Sequence, residues 1–297
     1  MRDTYLLHIR KAQQHQTTHC NRSFTSGKIL CHSSLCGVYF TLHIGPTLVT
    51  IYEFPLNERI RTWLRLEELF GKALFFINSQ DFRSHHAGLL AIFEIVDVTT
   101  RSELKNELIQ ELERQKSGLE ALRRNPAVNV ARLDEVLASI TKALGGLLAM
   151  TGKLGQHVRD NEWLCSIKGR AGIPGGTCSF DLPVYHFWLS QDDESRKDDL
   201  MAWIGPMLPV KHGVEVVLRI LREGGHVSSH TAVQGLFQLM LAGRSAHMLR
   251  VAMDAPCAPE VSANKYAVNI RFLVPDTVQK PRLCDRDVDF DLTFCNL

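Results

Sequence analysis

The sequence predicts an α+β fold, an N-terminal helical bundle followed by a small antiparallel β domain. Three observations lead there. Apolar residues recur at steps of three and four from Glu58 to Glu223, and they alternate with polar ones after His226. Between two stretches of the helical pattern, Gly172-Ile173-Pro174-Gly175-Gly176 is a strong break. Helices first and strands last is the order of an α+β chain.

Residues 1–47 stand apart. They hold His8, His15, His19, His32 and His43, three cysteines and many Ser, Thr and Gln, with no sustained apolar period. Cys31, His32 and Cys36 are metal-ligand types, but no standard zinc spacing is present. The segment reads as disordered, or as an extension translated from an upstream start codon.

The expected fold covers residues 48–297, as a helical domain at 48–225 and a β domain at 226–297. Leu48-Val49-Thr50-Ile51-Tyr52 is short and β-branched and reads as a strand, placed at 48–54. Whether it joins the C-terminal sheet is left open by the sequence. Pro55 and Asn57 supply a helix start and a candidate cap. Ile60, Trp63, Leu64 and Phe70 then share a helix face, and a second helix runs through His86 to Val98. Thr100-Arg101-Ser102-Glu103 fits a capping box, followed by a Leu104, Leu108, Leu112, Leu119, Leu122 stripe that ends at Asn125-Pro126. Val130 to Leu148 forms another helix, and a further one reaches about Arg170. After the glycine break, Pro183 opens a short aromatic helix with Tyr185, Phe187 and Trp188. Helices from about Asp193 to Ile204 and from Val210 to Glu223 complete the helical part. In the β part, Leu249-Val251-Met253, Tyr266-Val268-Ile270-Phe272 and Val288-Phe290-Leu292-Phe294 point to one face of antiparallel strands.

Composition excludes several classes. The net charge of +2 over 297 residues gives no basic footprint, and no stripe of basic residues interleaved with exposed aromatics is visible, so no nucleic-acid partner is expected. The longest apolar run, Ala87 to Val98, contains Glu94 and Asp97 and is too short to span a bilayer. No secretory signal precedes the eight cysteines and none forms a CxxC pair, so free thiols in a reducing cytoplasm are expected.

Catalytic signatures are weak. Gly145-Gly146 and Thr151-Gly152-Lys153 lack the full phosphate-loop pattern. Cys178, eight residues before His186, is the one nucleophile–base candidate and carries the alternative reading, an enzyme of unknown type. His85-His86 and His226/His230 lack a third metal ligand and read as surface histidines. Binding chemistry is better represented. Arg61 and Arg65 share a helix face with Arg59 at its border, and Arg159, Lys168 and Arg170 lie on or near a later helix. Lys265 and Arg271 share the polar side of one strand. Arg61 and Arg65 have Glu58 or Glu68 as candidate partners, and Arg271 has Asp289 across the sheet.

Three stretches carry a resemblance. Tyr52-Glu53-Phe54-Pro55-Leu56-Asn57-Glu58-Arg59-Ile60-Arg61-Thr62-Trp63-Leu64-Arg65-Leu66-Glu67 is similar to the N-terminal signature of the ZapD family. Ile173 to Pro183 resembles its central signature, and Asn264-Lys265-Tyr266 with Ile270-Arg271-Phe272 resembles its C-terminal strand. The resemblance spans residues 50–297. It implies a non-enzymatic, cytoplasmic cell-division factor without a cofactor, concentrated at midcell. It implies a homodimer that binds the C-terminal peptide of FtsZ, bundles its filaments and promotes Z-ring assembly and septation. Arg65, His186 and Arg271 match residues the family is thought to use. Glu162 and Ala267 stand where some members are basic, which leaves Arg159 or Lys168 as substitutes. The expected tail-binding set is therefore Arg61, Arg65, Arg159, His186, Lys265 and Arg271. The apolar helices at Leu89–Val98 and Leu104–Leu122 are the expected dimer surface.

Overall fold

A computed structural model describes residues 49–100, 103–126, 128–243 and 245–297. The expectations for residues 1–47 lie outside the described residues. Thr50–Leu297 forms one compact unit.

The helices follow the apolar periods. They are α1 (Glu58–Ile77), α2 (Phe82–Thr100), α3 (Leu104–Ala121), α4 (Val130–Ala149), the single turn α5 (Gln156–Arg159), α6 (Glu162–Ala171), α7 (Pro183–Leu189), α8 (Asp193–Ile204) and α9 (Leu208–Glu223). Side-chain caps define several starts. The Asn57, Asn129, Asn161 and Asp192 carboxamide or carboxylate oxygens accept from the backbone N–H groups of Ile60, Arg132, Leu164 and Ser195. The capping box expected at Thr100–Glu103 does not form, because Thr100 ends α2 and its hydroxyl donates to the Val96 carbonyl. Glu103 precedes α3 without a side-chain cap bond.

One apolar cluster unites the helices. Ile60, Trp63 and Phe70 of α1 pack with Leu89, Ile92 and Ile95 of α2, Leu104, Leu108 and Leu112 of α3, and Val214, Val217 and Leu221 of α9. The stripes expected to form a dimer surface are largely buried inside this core. An apolar helix face must be covered, and here neighbouring helices of the same chain cover these stripes.

The strands are β1 (Thr50–Pro55), β2 (His226–Ala232), β3 (Leu236–Met240), β4 (Met248–Met253), β5 (Ala258–Ala263), β6 (Ala267–Val274), β7 (Arg282–Leu283) and β8 (Val288–Cys295). They form two antiparallel sheets, β1-β4-β8-β2 and β3-β6-β5, with β7 added to β6. The first strand therefore does join the C-terminal sheet, pairing Tyr52 with Val251 and Phe54 with Leu249. The sheets face each other across Leu249, Val251, Val268, Ile270, Phe272, Phe290 and Leu292. The Phe290 ring lies 4.9 Å from Phe272 and 5.1 Å from Phe237.

Two glycines permit close approaches. Gly235, at φ +73°, follows Gln234 at φ +48° in a two-residue hairpin loop, and any Cβ there would fall 2.6 Å from the Cys284 carbonyl oxygen. Gly225, between α9 and β2, lets the chain lie on β8, since its Cβ would sit 2.4 Å from Thr293 Cγ2.

Helices and sheet meet through charge. Arg222 of α9 donates to both carboxylates of Glu53 on β1 and Glu67 on α1, at 2.6–2.8 Å. Arg250 of β4 lies 3.0 Å from Glu53 on the same sheet face. These side chains are only 20–31% exposed, so the pairs are shielded from water. The paired carboxylates hold the Arg222 guanidinium far above its already high ordinary pKa.

Candidate functional site

The six expected binding residues do not form one cluster. Arg61 and Arg65 do come together, on the exposed side of α1, at a groove of about 650 Å³. Pro55 of β1, Leu64 and Leu69 of α1 and Val98 of α2 supply its apolar lining, and Glu53, Glu68, Glu94 and Asp97 its acidic positions. Three of these acids are already engaged. Glu53 pairs with Arg222 and Arg250, Glu94 with Lys72, and Asp97 with Lys168. The arginines are less committed. Arg61 is 3.7 Å and Arg65 3.9 Å from Glu58, itself 73% exposed. Pairs this long and this wet leave both guanidinium groups ready for a better-placed carboxylate. Arg59 points elsewhere, with its guanidinium over the Trp63 ring and 3.4 Å from the buried carboxylate of Glu111.

Arg159 is occupied. It donates to Thr100 Oγ1 at 3.2 Å, to the Leu154 carbonyl at 2.8 Å and to Gln156 Oε1 at 3.0 Å. Its role in the structure is to hold the turn before α6 against the end of α2. Arg170 pairs with Asp181 at 3.5 Å.

Arg271 lies in the second sheet, and Lys265 just before its strand β6. Arg271 is on the face of β6 opposite the buried Ile270 and Phe272, and therefore on the side away from the helices. Its partner is Glu260 of β5 at 3.3 Å, directly opposite in register, and not Asp289. Asp289 is on β8 of the other sheet, where it accepts from Thr231. Lys265 is in the turn before β6 and not on the strand, with its ammonium over the Tyr266 ring at 4.8 Å.

His186 is exposed on α7, between buried Tyr185 and exposed Phe187. Three of the four tryptophans, Trp163, Trp188 and Trp203, hold α6, α7 and α8 together with ring separations of 5.7–5.9 Å. Two histidines dock this module onto α2. His86 Nδ1 lies 2.6 Å from the Tyr185 hydroxyl. His85, expected at the surface, is fully buried, and its Nδ1 accepts from Arg196 Nε at 3.0 Å. Arg196, itself buried, also donates to the carbonyls of Leu189 and Gln191. Adjacent positions on a helix lie about 100° apart, so one histidine of a pair turns inward while the other reaches the edge.

Burial, then the Arg196 charge, lowers the His85 pKa below its ordinary 6.5, against a smaller opposing pull that includes Asp193. Burial likewise lowers that of His86. Below pH 6.5 the unfolded chain thus binds more protons than the folded one. Stability present above that pH is lost as pH falls toward the folded-state values. Urea unfolding should show a falling midpoint from about pH 7 to about pH 5. His85→Gln keeps an acceptor for Arg196 without a titrating ring, and should flatten part of that slope.

Cys178 is exposed in the glycine-rich turn, and its backbone N–H bonds to the Gly175 carbonyl. Among the described residues no hydrogen bond joins its thiol to His186. Among the described residues no group of three or more His, Cys, Asp or Glu is placed to hold a metal ion, and no helix is long and apolar enough to cross a membrane.

A groove with two loosely held arginines suits carboxylates. The family model for the cell division protein ZapD matches residues 64–271. The chain belongs to the ZapD family. It is 52% identical over 248 residues to the cell division protein ZapD of Azoarcus sp., covering 83% of this chain and 99% of that one. It is 49% identical over 251 residues to the ZapD of Aromatoleum aromaticum, covering 84% and 98%. With the ZapD of Dechloromonas aromatica it shares 51% identity over 249 residues, covering 83% and 99%. Membership in the ZapD family gives the chain a role in cell division.

Proposed function

We propose that this ZapD-family chain is a non-catalytic crosslinker that captures the C-terminal tail of FtsZ and, as a homodimer, bundles FtsZ filaments. It would thereby promote Z-ring assembly and septum formation from the cytoplasm at midcell. The observation that carries this reading is the groove beside Arg61 and Arg65, with its apolar lining and under-engaged guanidinium groups. A short peptide with apolar side chains and carboxylates is the ligand such a surface suits.

Arg271, Lys265 and His186 belong to the proposed binding set as separate exposed contacts, while the intramolecular bonds of Arg159 make it the weakest member. The exposed apolar side chains of the helical half, among them Phe75, Leu148, Phe180 and Phe187, are candidates for the dimer surface.

A single short-peptide site gives a weak affinity, about micromolar. Two sites on one dimer raise the effective concentration of the second tail and favour bridging between filaments. Sedimentation of FtsZ polymers with this protein should yield bundles, which decrease as salt screens the charges beyond about 8 Å. Polymers of FtsZ lacking the tail should not bundle. Equal bundling of tailless polymers would rule out tail capture.

A further inference from the structure

Strand β1 ends its sheet, since it pairs with β4 on one side and with no strand on the other among the described residues. The register tells which backbone groups face away from β4. Leu56 N–H bonds to the His247 carbonyl, in line with the Phe54–Leu249 and Tyr52–Val251 pairs. In an antiparallel ladder the hydrogen-bonded residues alternate with those directed outward. The N–H groups of Ile51 and Glu53, and the carbonyls of Ile51, Glu53 and Pro55, therefore point to the open edge. Glu53 and Pro55 also line the groove that holds Arg61 and Arg65. The open backbone edge, the apolar Leu64 and Leu69 and the two arginines are thus parts of one continuous surface.

An edge strand is usually blunted by charge, a bulge or a cover. Ile51 of β1 is instead 51% exposed, and Glu53 turns its charge toward Arg222 and away from the edge.

We infer that β1 receives its ligand by strand addition: an extended, carboxylate-bearing peptide pairs with the open edge of β1, lays alternate side chains over Leu64 and Leu69, and presents its carboxylates to Arg61 and Arg65. This rests on the tail-capture reading and takes the FtsZ tail as the occupant. Backbone pairing supplies affinity that is independent of side chains, and the groove and arginines supply the selectivity. The charges are complementary, because among the described residues both guanidinium groups have only a distant, exposed partner in Glu58.

The test uses the full chain and a synthetic FtsZ tail peptide. Ile51→Pro removes one outward N–H and is tolerable at an edge strand, where that group pairs with no strand among the described residues. The variant should keep its melting temperature and bind the peptide about tenfold more weakly. Independently, saturating peptide should slow amide exchange at Ile51 and Glu53 in the unaltered protein. Tyr52 and Phe54, already bonded to β4, should change little. Should the peptide bind wild type and Ile51→Pro equally, with no slowing at Ile51 and Glu53, strand addition is overturned while tail capture stands. Should it bind neither, tail capture itself fails. Slowed exchange that depends on protein concentration without peptide would assign the edge to a second copy of the chain and also overturn the proposal.

Discussion

Arg222→Met should lower the unfolding free energy by about 3 kcal/mol, at the lower end of what breaking a buried pair costs because the cluster is partly wet. Among the described residues Arg222 is the only basic side chain bonded to Glu67, and it shares Glu53 with Arg250. Its removal leaves one shielded carboxylate without a cation and weakens the hold on another. The methionine retains the apolar stem but none of the four hydrogen bonds. The loss should appear as a lower midpoint in urea. Glu67→Leu made together with Arg222→Met should recover part of it, because the unpaired carboxylate is then gone. A midpoint unchanged by Arg222→Met would mean that the junction of α9, α1 and β1 is held by apolar contacts alone.

The second large effect is expected in binding. Arg61→Glu with Arg65→Glu should weaken FtsZ tail binding by about a hundredfold, roughly tenfold for each charge-assisted contact replaced by repulsion. The fold should be unaffected, since both side chains are exposed and their only ion pairs among the described residues are with Glu58. Isothermal titration with the tail peptide measures the first and thermal unfolding the second. Arg159→Glu is the contrasting variant. Its three intramolecular hydrogen bonds predict a loss of stability in place of a selective loss of binding. A double variant at Arg61 and Arg65 that binds normally would move the site to Arg271 and the outer face of the second sheet.

Much of the fold is legible without coordinates. The periods of three to four and of two mark α1 to α4 and the strands β4, β6 and β8, because the burial of one face is a local property of a helix or strand. Asn57 and Pro183 mark helix starts for equally local reasons. The short strands β3, β5 and β7 carry too few alternations to stand out, and the division of the strands into two sheets has no local signal. At the candidate site the pairing of Arg61 with Arg65 is readable from their spacing. The diversion of Arg59 to Glu111 is not, since it needs a carboxylate 52 positions away to be brought within 3.4 Å.

What the sequence by itself determined is the type and order of the elements, the family to which they belong and the spacing of the two arginines on α1. All of these depend on neighbours within one or two turns. Only the tertiary structure decided that β1 forms one edge of the distant sheet, that His85 is a buried acceptor for Arg196, that Arg159 is occupied, and that Arg222 joins Glu53 across 169 positions. The reason is electrostatic and steric. Whether a charge is free or bound depends on which groups lie within about 4 Å and how much water remains there, and long-range packing sets both.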